Sequence, residues 1–187
     1  DEYSFLVIGG RKSGKTNTLM MIGKTFADRG GEVFVLGGDE WKSFCAETGA
    51  TLFIGTGTPE WEAFMEKMLQ NYIIPRNIER KKAENKEQTA KIAAGHRPFV
   101  LLVDNLDAYC DLGGQHLNTK DATLLGQLVS QAANFGMYTF WSALTGHLRA
   151  RAMQDPLKSL LDQQRGIALG GKLGDVDPWN GALPYRQ

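Results

Sequence analysis

Short apolar runs alternate with longer amphipathic stretches along this chain, and the alternation predicts most of its elements. Phe5-Leu6-Val7-Ile8 is a continuous apolar run ending in glycines, the pattern of a parallel strand buried on both faces. From Gly14 to about Arg29, Leu19, Met20, Ile22, Phe26 and Ala27 recur at helical spacing, and Gly30-Gly31 supplies a stop. Glu32-Val33-Phe34-Val35-Leu36 and Thr51-Leu52-Phe53-Ile54 read as the next two strands, each followed by glycines. Thr58-Pro59-Glu60 has the form of a helix start, leading into an apolar stripe of Trp61, Phe64, Met65, Met68, Leu69 and Tyr72 that Pro75 should break or bend.

Arg76 to Lys91 mixes charges of both signs and reads as a solvated helix extension or mobile loop, with a partner surface as the competing reading. Pro98-Phe99-Val100-Leu101-Leu102-Val103-Asp104 is the strongest strand, five apolar residues ending in a carboxylate. A helix over roughly Thr119 to Phe135, a strand at Met137-Tyr138-Thr139-Phe140-Trp141 and a last strand at Gly166-Ile167-Ala168-Leu169 complete the pattern. Strands alternating with helices predict an α/β three-layer sandwich, with a mostly parallel central sheet and helices on both faces.

Against that scaffold one motif carries chemistry. Gly9-Gly10-Arg11-Lys12-Ser13-Gly14-Lys15-Thr16 fits G-x-x-x-x-G-K-[ST] at every fixed position and lies between a strand and a helix start, where a phosphate loop must lie. The glycines let successive amides turn toward phosphate oxygens, and the helix dipole adds positive potential. Lys15 is the point charge for β and γ phosphates, Thr16 offers a hydroxyl to magnesium, and Asn17 closes the nucleotide-binding segment. The expected ligand is ATP with Mg2+.

The matching acid is Asp104, at the end of the strongest strand, oriented toward the metal through water. Asn105 follows it where hydrolysing motors commonly carry Glu, and an amide cannot act as a base, so hydrolysis should be slow or absent. Asp107 would need an unusual turn to compensate, and Asp39 is a weaker candidate for ribose or metal contact.

The chain has 187 residues, 42% hydrophobic, enough for one core, and reads as a single domain over residues 1–187. Its abrupt entry into a strand at Phe5 suggests a domain excised from a larger protein. With 21 basic and 21 acidic residues, nothing global draws this surface to DNA or to an anionic membrane. Cys45 and Cys110 lack zinc or disulfide spacing, His96 and His116 share no ligand set, and no apolar run approaches a membrane span. Of the tryptophans at 41, 61, 141 and 179, buried packing is the ordinary reading for most. Trp179, in Asp177-Pro178-Trp179-Asn180-Gly181, could anchor a partner. His147, Arg149 and Arg151 follow the fifth strand as a solvated helix start or a contact to nucleotide or a neighbouring domain.

Phe5 to Asn17, Thr58 to Asn77, Phe99 to Tyr109 and Gln131 to Leu144 together resemble the FtsK/SpoIIIE class of RecA-like P-loop ATPases. Asp104-Asn105 and Gln164-Arg165-Gly166-Ile167-Ala168-Leu169-Gly170-Gly171 look most like the C-terminal, third ATPase domain of the type VII secretion family EssC/EccC. The resemblance implies a membrane-anchored parent on the cytoplasmic side, sister ATPase domains as partners, and export of small helical WXG-type proteins. It carries over Gly9, Gly14, Lys15, Thr16 and Asp104. It departs at Glu66-Lys67-Met68-Leu69, where the class has an arginine acting across a hexamer interface, and at Trp141-Ser142-Ala143-Leu144, where Ala-Thr-Gln is usual and only Ser142 remains to sense the γ-phosphate. Two alternatives stand beside this reading: an active DNA translocase, which needs a basic pore loop and a water-orienting acid, and a small-molecule kinase, which needs an arginine-rich lid.

Overall fold

The computed structural model of the chain describes residues 3–54, 63–64, 66–107, 125–126, 128–146, 148 and 155–170. Six strands form one sheet: β1 Ser4–Gly9, β2 Glu32–Gly37, β3 Thr51–Ile54, β4 Phe99–Val103, β5 Met137–Leu144 and β6 Gly166–Leu169, in the order β3-β2-β4-β5-β1-β6. Every pairing is parallel. The expectation of a mostly parallel α/β sheet therefore holds, and all five observed pairings are of that kind.

The central strands β1, β2, β4 and β5 are buried on both faces, as their unbroken apolar runs require, while the edge strands β3 and β6 are only partly covered. Leu6, Ile8, Phe34, Leu36, Phe99, Leu101, Val103, Met137, Trp141 and Ala143 point to one side, where they meet Phe64, Met68, Leu128, Leu157 and Leu160. Val7, Val33, Val35, Val100 and Leu102 point to the other, against Leu19, Trp41, Phe44 and Cys45. Alternate residues of each strand thus supply two cores, and three layers result. Helices α1 (Lys15–Asp28) and α2 (Lys42–Thr48) cover the second face.

The segment beyond β3 corrects the expectation at Pro75. Residues 66–68 are helical and run into a π-helical turn, Leu69–Ile73, and then into α3, Ile74–Arg80, with Pro75 in its first turn. The amide of Ile74 reaches back to Leu69 O, so the wider turn carries the helical path past a residue that has no N–H to give. The charged stretch after it is helical too. Helix α4, Lys86–Gly95, starts at Asn85, whose side chain accepts from Gln88 N at 2.9 Å. Arg76 is the exception to a solvated reading. It is buried, its guanidinium donates to Phe135 O and to Arg97 O, and it lies 4.6 Å from the centre of the Phe99 ring. Desolvation pulls its pKa below the ordinary arginine value.

Candidate functional site

The carboxyl ends of β1, β4 and β5 converge on one group of polar side chains. β1 ends at Gly9, where an added Cβ would lie 2.2 Å from Ser13 Oγ and 2.7 Å from Leu169 O, so the loop can return this closely only over glycine. Lys12 and Gly14 take positive φ, 59° and 94°, and α1 begins directly afterwards at Lys15. The first-turn amides of α1 have no intrahelical acceptor and face the same end as the helix dipole's positive pole. Arg11 and Lys12 are exposed. Lys15 Nζ donates to Gly10 O at 2.7 Å and to Gly9 O at 3.2 Å, arching over the loop. Desolvation lowers the Lys15 pKa, with Asp104 and Asp107 opposing the shift.

β1 and the acid-bearing β4 are not neighbours, because β5 lies between them. Ser142 of β5 is level with Val7 of β1, and Trp141 with Val103 of β4, which sets Ser142 beside Asp104. The Ser142 hydroxyl donates to Asp104 Oδ1 at 2.6 Å and accepts from Asn105 N at 2.8 Å. Thr16, reaching from α1, donates to Asp104 Oδ2 at 2.8 Å. The Trp41 indole N–H donates to the same oxygen at 3.0 Å. Asp104 is 7% exposed and so carries three donors in a nearly water-free place.

Several expectations sharpen here. Thr16 and Asp104 are hydrogen-bonded, although β5 separates their strands. Ser142 is fully buried and spends its only proton on Asp104, so it has no proton left for a γ-phosphate. Asn105 is exposed with φ 63°, a left-handed conformation that Asn tolerates and most side chains do not. Asp107 is buried and accepts from Leu144 N at 2.9 Å, capping β5. Asp39 is exposed and pairs with Lys42 at 2.9 Å. His96 Nε2 lies 3.2 Å from Glu79 Oε2. Lys67, in the stretch lacking an arginine, sets its ammonium over the Phe34 and Phe53 rings at 5.5 and 6.0 Å. Trp61, Cys110, His116, His147, Arg149, Arg151 and Trp179 lie outside the described residues, as does Thr58-Pro59-Glu60.

Sequence reasoning missed Trp41. It closes a 3-10 turn, Asp39–Trp41, after β2, and Gly37 makes room for it, since a Cβ there would lie 2.5 Å from Trp41 Cδ1. The signal was the glycine pair before it, but only the pairing of β2 with β4, Leu36 level with Val103, brings the turn to the acid.

The donor set fits a magnesium ion. Asp104 accepts the hydrogen bond of the Thr16 hydroxyl, which leaves that hydroxyl's lone pairs for a cation, and hard oxygen donors in small number are what Mg2+ borrows from a protein when phosphates and waters supply the rest.

The sheet order and helices define a RecA-like α/β fold, with the Gly9–Thr16 loop and Asp104 on strands separated by one inserted strand. Solved structures it resembles include ATPase domains of type VII secretion proteins and a conjugation coupling protein. EssC (ATPases 2 and 3) from Geobacillus thermodenitrificans superposes with a TM-score of 0.72 at 15% identity, covering 100% of this chain and 32% of that one. Thermomonospora curvata EccC (ATPases 2 and 3), in complex with a signal sequence peptide, gives 0.65 at 14% identity over 93% of this chain and 31% of that one. The pCW3 conjugation coupling protein TcpA, with ATPgS, gives 0.53 at 15% identity over 76% of this chain and 43% of that one. The chain therefore spans about a third of the EssC and EccC chains it superposes on. No family model matches the sequence, and no curated relative matches it. Among the described residues no helix is long and apolar enough to cross a membrane.

Proposed function

We propose that this chain is the nucleotide-binding third ATPase domain of a type VII secretion motor, binding ATP with Mg2+ and hydrolysing it weakly or not at all. The observation that carries this is the 2.8 Å hydrogen bond joining Thr16, at the phosphate-loop helix, to Asp104 on a non-adjacent strand. Gly9, Gly10, Arg11, Lys12, Ser13, Gly14, Lys15, Thr16 and Asn17 form the nucleotide loop. Lys15 exchanges the carbonyls of Gly9 and Gly10 for phosphate oxygens. Thr16 and Asp104 are the residues that would hold the metal. The bound ion would neutralise phosphate charge.

Weak turnover follows from how the neighbouring groups are used. Asn105 has no carboxylate, Ser142 has committed its proton, and Asp107 holds the end of β5. Lys67 faces inward over aromatic rings and cannot serve as the missing arginine without leaving them. Such a domain acts by nucleotide-dependent docking to sister domains and to exported small helical proteins of WXG type. The tandem-ATPase architecture of the EssC and EccC neighbours, and the signal peptide held by the latter, support that assignment. The EccC and EssC neighbours solved as cytoplasmic domains support placing this domain on the cytoplasmic side, and a membrane-anchored parent is part of the same proposal.

Calorimetry of Mg·ATP with wild type and Lys15→Ala tests the binding claim. Loss of a charge held by two phosphates should cost roughly 1.5–3 kcal/mol. Wild type that fails to bind at millimolar ATP would refute it. In the parent chain, Lys15→Ala should reduce export of the helical substrates; unchanged export would remove the nucleotide from the mechanism.

A further inference from the structure

The Asp104 carboxylate offers about four acceptor positions, two on each oxygen. Thr16 and Trp41 fill Oδ2, and Ser142 fills one position on Oδ1. One acceptor position remains, on Oδ1. Trp41 is fully buried, its ring stands edge-on to Phe44 at 5.3 Å, and Gly37 leaves the space it occupies. An indole N–H can only donate, so the Trp41 nitrogen offers a metal ion no lone pair. Its place in the site is to occupy a carboxylate oxygen.

We propose that Trp41 is a positioning residue that holds Asp104 so that its carboxylate cannot chelate a divalent cation with both oxygens, setting a preference for magnesium over calcium. The proposal rests on the nucleotide-binding reading above. Magnesium gives up its waters reluctantly and tolerates little departure from octahedral geometry, whereas calcium takes six to eight oxygens and accepts carboxylates directly, often in pairs. With Oδ2 saturated by two donors, bidentate ligation by Asp104 is closed. The single open position on Oδ1 suits a metal-bound water. Without the indole donor, Oδ2 regains a lone pair and the carboxylate loses one of the bonds that set its rotation.

The test is ATP affinity by calorimetry for wild type and Trp41→Phe, each with chelator, with Mg2+ and with Ca2+. Phenylalanine retains an aromatic ring and lacks the N–H. We expect equal affinities under chelator, a fall of about tenfold in the gain conferred by Mg2+, and a rise in the calcium-to-magnesium ratio, the size set by one hydrogen bond to a charged group. A ratio unchanged in Trp41→Phe overturns the proposal while leaving nucleotide binding intact. Wild type that binds no nucleotide under any condition overturns both readings. Should Trp41→Phe not fold, the indole N–H resonances of the four tryptophans in 15N-labelled wild type decide. One of them must shift when Mg2+ is added to the chelated nucleotide complex and lie at an altered position in Asp104→Asn; no such resonance overturns the proposal.

Discussion

Replacing Ser142 by alanine isolates the tertiary bond on which the geometry of the acid depends. The hydroxyl is fully buried, donates to Asp104 Oδ1 at 2.6 Å and accepts from Asn105 N at 2.8 Å. A hydrogen bond to a charged group contributes about 1.5–3 kcal/mol, and stranding a partly buried amide adds about 1 kcal/mol. Water has little access to a site with no exposure, so relaxation offsets little of this. Ser142→Ala should therefore destabilise the fold by about 2–4 kcal/mol, which for a domain of this length lowers Tm by roughly 5–15 °C. Urea unfolding, followed by fluorescence and circular dichroism to check that the transitions coincide, gives the free energy without involving nucleotide. A double-mutant cycle with Asp104→Ala should return a coupling of at least about 1 kcal/mol. A loss below about 0.5 kcal/mol, or single effects that simply add, would refute the claim that Ser142 holds the acid.

Three further outcomes follow from the geometry. At Asn105, φ 63° means that Asn105→Gly should leave stability within about 0.5 kcal/mol, while Asn105→Val should cost about 1–2 kcal/mol in the same unfolding assay. Asn105→Glu carries a similar strain, so any gain in ATP turnover must exceed that of Asn105→Gln to be credited to the carboxylate. Arg76→Ala removes two buried guanidinium bonds and the contact with Phe99, and should cost about 3 kcal/mol, with Arg76→Lys recovering less than half because one ammonium lacks the planar fork. Tyr72, donating to Glu32, has its pKa raised to about 12, chiefly by burial. The folded state thus holds the phenol proton that the unfolded chain releases near pH 10, so this stabilisation is complete below pH 10 and declines as pH rises from 10 to 12. Unfolding free energies of wild type and Tyr72→Phe measured across that window should converge with rising pH; parallel curves would refute the shift.

Much of the architecture was legible because its signals are local. Five-residue apolar runs such as Phe99–Val103 have no satisfactory place except a strand covered on both faces, and the phosphate loop needs only glycines, a lysine and a hydroxyl at set spacing between a strand and a helix. The π-helical turn at Leu69–Ile73 was not legible, because Pro75 announces a missing donor without saying how the turn before it accommodates the loss. Arg76 was read with its charged neighbours, since nothing in Arg76 to Lys91 distinguishes the one guanidinium that two backbone carbonyls and an aromatic face repay for burial.

The sequence by itself determined the strand-loop-helix around the Gly9–Thr16 loop, the acid at the end of β4 and the two-sided burial of the central strands, all of which depend on residues close together along the chain. Tertiary structure decided what surrounds the acid. Inserting β5 between β1 and β4 brings Ser142 from 38 residues away, and pairing β2 with β4 brings Trp41 from 63 residues away. Hydrogen bonds act over about 3 Å, so such partners exist only once strand order and register have been chosen, and those are settled by the packing of the whole sheet.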